Sequence, residues 1–155
     1  MKHDELAASL FCSGCNCAQA VFAAFCDVTG MEREAALRLS SSFGAGMGRM
    51  RETCGAVTGM FMVLGLAYGF DGDADSTEKG EHYARVQALA AQFREAHGTL
   101  VCRELMAGLN KDTSPMPEPR TAQYYKTRPC VRFVITAARL LDDYLEKYPV
   151  SQHPC

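Results

Sequence analysis

Residues 53–70 read TCGAVTGMFMVLGLAYGF and contain no charged side chain. An uncharged, apolar run at the middle of a chain predicts a helix that is buried among other helices. Its glycines form two small-xxx-small pairs, which allow neighbouring helices to pack closely against it. The run is just long enough to cross a bilayer, but its flanks lack the aromatic and basic anchors of a membrane span. We therefore expect a soluble helical domain built around this segment.

Helical patterns cover most of the remaining chain. Asn16 is a suitable N-cap for one helix, and Gly98 is a suitable C-cap for another. No segment shows the alternation of a strand. We predict an all-α protein, a single domain over residues 1–155, with about five to six helices bundled around a buried glycine-rich central helix. Besides the central helix, the predicted helices cover residues 17–26, 31–39, 78–97, 100–109 and 129–147.

Composition excludes several classes of partner. A net charge of −2 with interspersed signs provides no basic face for nucleic acid or a membrane surface. Asp4 and Glu5 precede the first apolar residues, which is the wrong order for a secretion signal, so we expect a cytoplasmic protein. His82 and His97 lie about four helical turns apart and are expected at the surface as separate side chains.

The chain contains eight cysteines. A chain of this length buries roughly 70% of its unfolded surface without cross-links, so disulfide staples are not needed for folding. Clustered cysteines in a reducing compartment more often bind metal or cycle catalytically. The cysteines therefore indicate a redox or metal-binding centre.

Several cysteines lie at predicted helix starts, where backbone N–H groups favour a thiolate. Cys54 follows Arg49 and Arg51 and opens the central helix, which makes it the strongest candidate for a reactive sulfur. The others at helix starts are Cys17, Cys102 and Cys130.

The glycine-rich loop before the central helix, FGAGMGRMRETCG at residues 43–55, is suited to positive φ values and to close approach of a partner. Gly46, Gly48 and Gly55 are its candidate cofactor-binding positions.

Four segments together resemble the C_GCAxxG_C_C family of redox-active proteins. The resemblance covers most of the chain and implies that the four helix-start cysteines form the family set. The extra cysteines Cys12, Cys15, Cys26 and Cys155 have no assigned role. The segments are GCNCAQAVFAAF around Cys17, FGAGMGRMRETCGAVTGMFMVLGLAYG around Cys54, VCREL at Cys102 and RPCVRFVITAA at Cys130.

The resemblance implies redox activity but defines no substrate, and it leaves open whether the protein is an enzyme. In one version, Cys54 attacks and Cys17 resolves a disulfide, with an unidentified redox partner and no cofactor. In the other version, Cys17, Cys54, Cys102 and Cys130 ligate an iron–sulfur cluster or another metal. The alternative class is a non-catalytic interaction module, for example a homodimer formed through the glycine-rich helix or the Met47, Met50, Met60 and Met62 surface.

Overall fold

The computed structural model describes residues 2–109 and 112–151, and within these ranges it contains nine α-helices, one 3-10 turn at Ser41–Phe43 and no strand. The all-α prediction is confirmed. Six of the helices have at least eight residues, which agrees with the expected bundle. The helices are α1 His3–Cys12, α2 Cys17–Ala24, α3 Cys26–Thr29, α4 Arg33–Ser40, α5 Gly55–Tyr68, α6 Ser76–His97, α7 Cys102–Leu105, α8 Ala122–Thr127 and α9 Cys130–Lys147.

Helix α5 is the predicted glycine-rich central helix, and it packs most closely against α2. A Cβ added at Gly59 would lie 2.9 Å from the carbonyl oxygen of Ala18, so only glycine permits this approach. Val57, Met60 and Leu64 on α5 are fully buried. The end of the helix is different, since Leu66 is 49% exposed. No helix in the described ranges is long and apolar enough to cross a membrane.

Helix α1, which the sequence analysis did not predict, covers one side of the bundle. Leu10 and Phe11 are buried against the core. At its N-terminal end, Asp4 accepts a hydrogen bond of 2.8 Å from Arg139 of α9. His3 lies between two carboxylates, Asp27 beyond α2 and Asp142 on α9, with ring nitrogens 3.0 and 2.5 Å from them. These polar contacts fix α1 to α9.

The long helix α6 begins after the N-cap Asp75, whose side chain accepts from the Glu78 N–H, and ends at Gly98, which has a φ of +89°. The expectation for one of its histidines is wrong. His82 is only 8% exposed because it packs against the ring of Phe70. His97 is partly buried and hydrogen bonds to Thr136 of α9 through Nε2 at 2.9 Å.

Candidate functional site

The four helix-start cysteines line one cavity of about 310 Å³. Cys17, Cys102 and Cys130 are the first residues of α2, α7 and α9, and Cys54 is the N-cap of α5. The predicted positions at helix starts are therefore correct. Four segments that are distant in sequence therefore each place a cysteine in the wall of the same cavity.

Two of these cysteines are brought together by a short stretch of backbone pairing. Thr53 and Val101 form an isolated antiparallel bridge. Next to it, the Cys54 N–H donates to the Leu100 carbonyl at 2.8 Å, and the Cys102 N–H donates to the Glu52 carbonyl at 2.6 Å. The bridge fixes the start of α5 beside the start of α7.

Cys17 and Cys130 interact directly. Interaction with the Cys17 thiol is the main reason that the pKa of Cys130 is lowered to about 7. The positive charges of Arg128, Arg120 and Arg51 act in the same direction, against the effect of burial. The Cys130 sulfur also lies 3.8 Å from the sulfur of Met106. The pKa of Cys17 is raised well above its ordinary value, because the interaction with Cys130 and burial of the side chain both favour the thiol. The pair is therefore a neutral thiol beside a thiolate near neutral pH.

Cys54 has the opposite environment. Cys54 is only 4% exposed, and this burial raises the pKa of its thiol to about 12. Hydrogen bonds from the N–H groups of Ala56 and Val57 partly offset the rise. The low pKa expected from its helix-start position is thus outweighed by desolvation. The predicted role of Cys54 as the attacking sulfur remains a prediction, but its surroundings favour the neutral thiol.

Cys102 is also buried, and burial raises the pKa of its thiol. The guanidinium of Arg51 opposes this rise, with Nη1 at 4.0 Å from the Cys102 sulfur. Cys102 therefore links the sulfur group to the basic side of the cavity.

Arginine side chains form that basic side. Arg49 lies 3.3 Å from the carboxylate of Asp112, and Arg128 pairs with Glu118. Arg120 stacks over the ring of Tyr124, with its guanidinium carbon 4.6 Å from the ring centre. The arginines that line the cavity are Arg49, Arg51, Arg120 and Arg128. The sequence analysis identified Arg49 and Arg51 before Cys54 but missed Arg120, which lies in irregular chain after a proline-rich segment.

The glycine-rich loop has an unusual backbone. Residues 45–49 all have positive φ values, from +54° to +71°, and Arg51 has a φ of +61°. Left-handed backbone costs a residue with a side chain about 1–2 kcal/mol, so such a run persists only where its surroundings hold it. The Arg51 N–H donates to the Ala45 carbonyl at 3.3 Å and the Glu52 N–H to the Gly46 carbonyl at 2.9 Å. The strained loop points Arg49 and Arg51 at the cavity.

The three glycines predicted to bind a cofactor all line the cavity. A Cβ at Gly46 would lie 2.7 Å from the Cys102 Cβ, and one at Gly55 would lie 3.1 Å from the Cys17 Cβ. At Gly48 a Cβ would meet only the Ser42 carbonyl oxygen, at 3.7 Å. Gly46 and Gly55 thus allow the close approach of cysteine-bearing segments, and their cofactor-binding role stays a prediction.

The remaining cysteines lie elsewhere. Cys12 is exposed, whereas Cys15 and Cys26 are partly buried, and none of them lines the cavity. Cys155 lies outside the described residues. All seven described cysteines are free thiols.

The four cavity cysteines, as placed, do not fit a metal ion. Within residues 2–109 and 112–151, no group of three or more His, Cys, Asp and Glu side chains is close enough to hold one.

An all-helical protein with converging helix-start thiols and an arginine-lined cavity has the features of a cysteine-based redox protein. Comparison with known families agrees, since residues 15–144 match the family described as Putative redox-active protein (C_GCAxxG_C_C). The chain belongs to this family. No match was found among curated proteins or among solved structures.

Proposed function

We propose that this protein is a dithiol–disulfide redox protein in which Cys130 is the attacking thiolate and Cys17 is the resolving thiol. The observation that carries the proposal is that these two cysteines line the same cavity and interact with each other there, with the thiolate favoured on Cys130. An attacking thiol is most effective when its pKa lies near the ambient pH, and the pKa of Cys130, at about 7, meets this condition.

The proposed reaction is an exchange with a disulfide. The Cys130 thiolate attacks one sulfur of the substrate, forming a mixed disulfide and releasing the other sulfur as a thiolate. Cys17 then loses its proton to this leaving thiolate and attacks Cys130, which releases the second substrate thiolate. Two electrons pass from the protein to the substrate, which leaves as two thiols once solvent supplies the second proton. The Cys17–Cys130 disulfide is the oxidised product.

Arginines support the first step, and the protonation state of Cys17 suits the second. Arg128 and Arg120 stabilise negative charge on Cys130 before the attack. Proton transfer away from Cys17 is needed only in the second step, which agrees with a thiol that stays protonated until its partner is consumed. Since the chemistry begins with reduced thiols, we place the protein in the cytoplasm, where thiols are kept reduced.

The rival assignment, with Cys54 attacking and Cys17 resolving, is tested by counting thiols. Reduced protein is treated with one equivalent of a small disulfide, and accessible plus buried thiols are titrated under denaturing conditions. We expect a loss of two thiols in the wild type and in Cys54→Ser. Neither Cys130→Ser nor Cys17→Ser should form the internal disulfide. Cys26→Ser, outside the cavity, is the matched control and should behave as the wild type.

An unchanged thiol count in the wild type would refute cycling. Loss of the reaction in Cys54→Ser with retention in Cys130→Ser would instead establish the rival assignment.

The metal version of the site is tested on the same protein. Its supporting observation is that four thiols face one cavity. Iron and acid-labile sulfide are measured after anaerobic purification. Dithiol cycling predicts that metal-free protein undergoes two-electron oxidation. The cluster would be established instead if the wild type contained stoichiometric iron and sulfide and Cys54→Ser contained neither.

The interaction-module alternative predicts different behaviour. A module with structural cysteines keeps its self-association when all four cavity cysteines are replaced by serine, and it has no thiol reaction. Sedimentation equilibrium of the wild type and this variant measures the first property, and the thiol count measures the second. The redox proposal requires that the thiol reaction be present in the wild type and absent from the variant.

A further inference from the structure

Arg51 is a buried cation with an unused donor. Arg51 is 3% exposed and lines the cavity. The Nε donates to the Asp112 carbonyl at 3.1 Å, and Nη1 lies 4.0 Å from the Cys102 sulfur. The buried Nη2 has no hydrogen-bond partner in the described part of the chain. A buried guanidinium N–H without an acceptor is unfavourable, so this atom calls for an acceptor that the described part of the chain does not provide.

A second arginine repeats the observation from another element. Arg120 donates through Nη2 to the Cys15 carbonyl at 3.3 Å, while its buried Nη1 has no acceptor within the described ranges. Its guanidinium is fixed by the rings of Tyr124 and Phe11, at 4.6 and 4.9 Å. Two unused guanidinium donors, one from the glycine-rich loop and one from the segment before α8, therefore belong to side chains that line the same cavity.

The charge of the cavity agrees with these donors. Four arginines line it, whereas Glu118 is the sole carboxylate among its described lining residues. The Cys130 thiolate offsets one positive charge. Asp112, outside the lining, offsets the charge of Arg49. The remaining excess is still positive, in a partly enclosed cavity where charges are screened less than at the surface.

We infer that the cavity binds an oxyanion group of a small-molecule substrate, with Arg51 Nη2 and Arg120 Nη1 as its donors. Planar guanidinium groups match the oxygens of carboxylates, sulfonates and phosphates. At about 310 Å³ the cavity is at the lower end of the range for small-molecule sites, about 300–1,000 Å³. Leu105, Met106 and Phe133 provide an apolar wall for the rest of the molecule.

This inference rests on the proposed function in one respect, namely that the substrate is a disulfide. Combined with the anion site, the substrate class is a small disulfide that bears an oxyanion near its sulfurs. The exchange itself is the one written above: the substrate disulfide bond breaks, the Cys17–Cys130 bond forms, and the two products are anionic thiols. The arginines hold the charged end while Cys130 attacks the sulfur.

The first experiment measures binding without reaction. The probe is 3,3′-thiodipropionate, a dicarboxylate with a thioether in place of a disulfide, titrated into the reduced protein by calorimetry. We expect binding to the wild type that is at least about tenfold weaker in Arg51→Met and in Arg120→Met. Arg94→Met, on the exposed face of α6, is the control and should bind as the wild type does. The inference is overturned if the probe does not bind the wild type. It is also overturned if Arg51→Met and Arg120→Met both bind the probe as tightly as the wild type does.

The second experiment measures reaction. Reduced protein is oxidised by 3,3′-dithiodipropionate, which is dianionic, and by bis(2-hydroxyethyl) disulfide, which is neutral. We expect the anionic disulfide to react at least about tenfold faster, and this ratio to fall towards one in Arg51→Met, Arg120→Met and high salt. Equal rates in the wild type overturn the anion inference but leave dithiol exchange standing. If the protein binds the thioether probe but is oxidised by neither disulfide, the anion site is supported and the redox proposal fails.

Folding of the variants is controlled within the set. Arg51→Lys keeps the positive charge but loses the forked donor geometry, so we expect intermediate binding. If Arg51→Met unfolds, Arg120→Met and Arg51→Lys still decide the outcome. Inorganic phosphate, titrated in the same way, tests the anion site with a second oxyanion, and its failure to compete with 3,3′-thiodipropionate would contradict a shared oxyanion site.

Discussion

Cys17 and Cys130 interact where the first turns of α2 and α9 meet, and their interaction lowers the pKa of Cys130 while it raises that of Cys17. This one interaction divides the two thiols into different protonation states, because a donor that stabilises one thiolate must keep its own proton. Neighbouring arginines strengthen the division by favouring the anion on Cys130. The pair therefore contains both a nucleophile and the thiol that would resolve its mixed disulfide.

Alkylation of Cys130 should report its thiolate directly. We expect the rate with iodoacetamide to rise with pH through a midpoint of about 7, since only the thiolate reacts. The rate is followed by mass spectrometry of the Cys130 peptide, because exposed Cys12 reacts as well. Cys54 serves as the internal comparison and should stay unreactive at neutral pH, where its buried thiol is protonated. A Cys130 midpoint at or above that of an ordinary thiol would contradict the account.

Replacing the donor should change that midpoint. Cys17→Ala removes the thiol that interacts with Cys130, and we expect roughly tenfold less Cys130 thiolate at neutral pH, since a hydrogen bond from a thiol to a thiolate would contribute about 1.5–3 kcal/mol. Cys17→Ser keeps a donor of similar size and should retain most of the low pKa. Both variants lose the resolving thiol, so the comparison separates this interaction from the redox step. Equal midpoints in all three proteins would mean that the arginines alone account for the shift.

Two glycines on α5 should respond in opposite directions to alanine. At Gly59 a Cβ would lie 2.9 Å from the Ala18 carbonyl oxygen, so we expect Gly59→Ala to lower the free energy of unfolding by about 1–3 kcal/mol. Gly65, on the same helix, has open space around its added Cβ, and Gly65→Ala should raise stability by about 0.5–1 kcal/mol through helix propensity. Urea unfolding measures both. A neutral Gly59→Ala would contradict the close packing of α2 on α5.

The His3 contact with Asp27 and Asp142 should make stability depend on pH. Burial opposes protonation, but the hydrogen bonds and charges of both carboxylates outweigh it, so the folded pKa of His3 is raised above 6.5. The contribution is then complete below the unfolded pKa and is lost as pH rises through the folded one. We expect His3→Gln to cost roughly 0.5–1 kcal/mol more at about pH 6 than at about pH 9, measured by urea unfolding.

His97 is the contrasting control. Burial lowers the pKa of its imidazole, with Arg132 acting in the same direction, so its neutral form is favoured in the folded protein. The wild type should therefore lose stability relative to His97→Gln as pH falls through about 6.5. The same slope in both variants would contradict the assignment for His3.

Much of the fold could be predicted from local pattern. The uncharged run of α5 and the amphipathic stripe of α9 are strong signals, and both helices lie within two residues of their predicted bounds. Helix α1 was not predicted, because Asp4 and Glu5 near its start were used only as evidence against a secretion signal. The burial of His82 depends on its contact with Phe70, across the turn before α6, which helical spacing alone does not reveal.

The sequence predicted which cysteines line the cavity, but it did not predict how their pKa values differ. Helix-start positions and family motifs indicated Cys17, Cys54, Cys102 and Cys130. The relative pKa values of Cys54 and Cys130 depend on which thiol is more deeply enclosed and which faces arginines from distant segments. Arg120 reaches the cavity only because Tyr124 and Phe11 hold its guanidinium, and this three-dimensional arrangement has no counterpart in a sequence motif.

The central claim is that one specific pair of sulfurs exchanges electrons. The most direct test is to oxidise the reduced protein with one equivalent of a small disulfide, block the remaining thiols, digest under non-reducing conditions and identify the linked peptides by mass spectrometry. The account predicts a dominant bond between Cys17 and Cys130, with Cys54 and Cys102 recovered as blocked thiols. A dominant Cys17–Cys54 bond, or no internal disulfide at all, would contradict it.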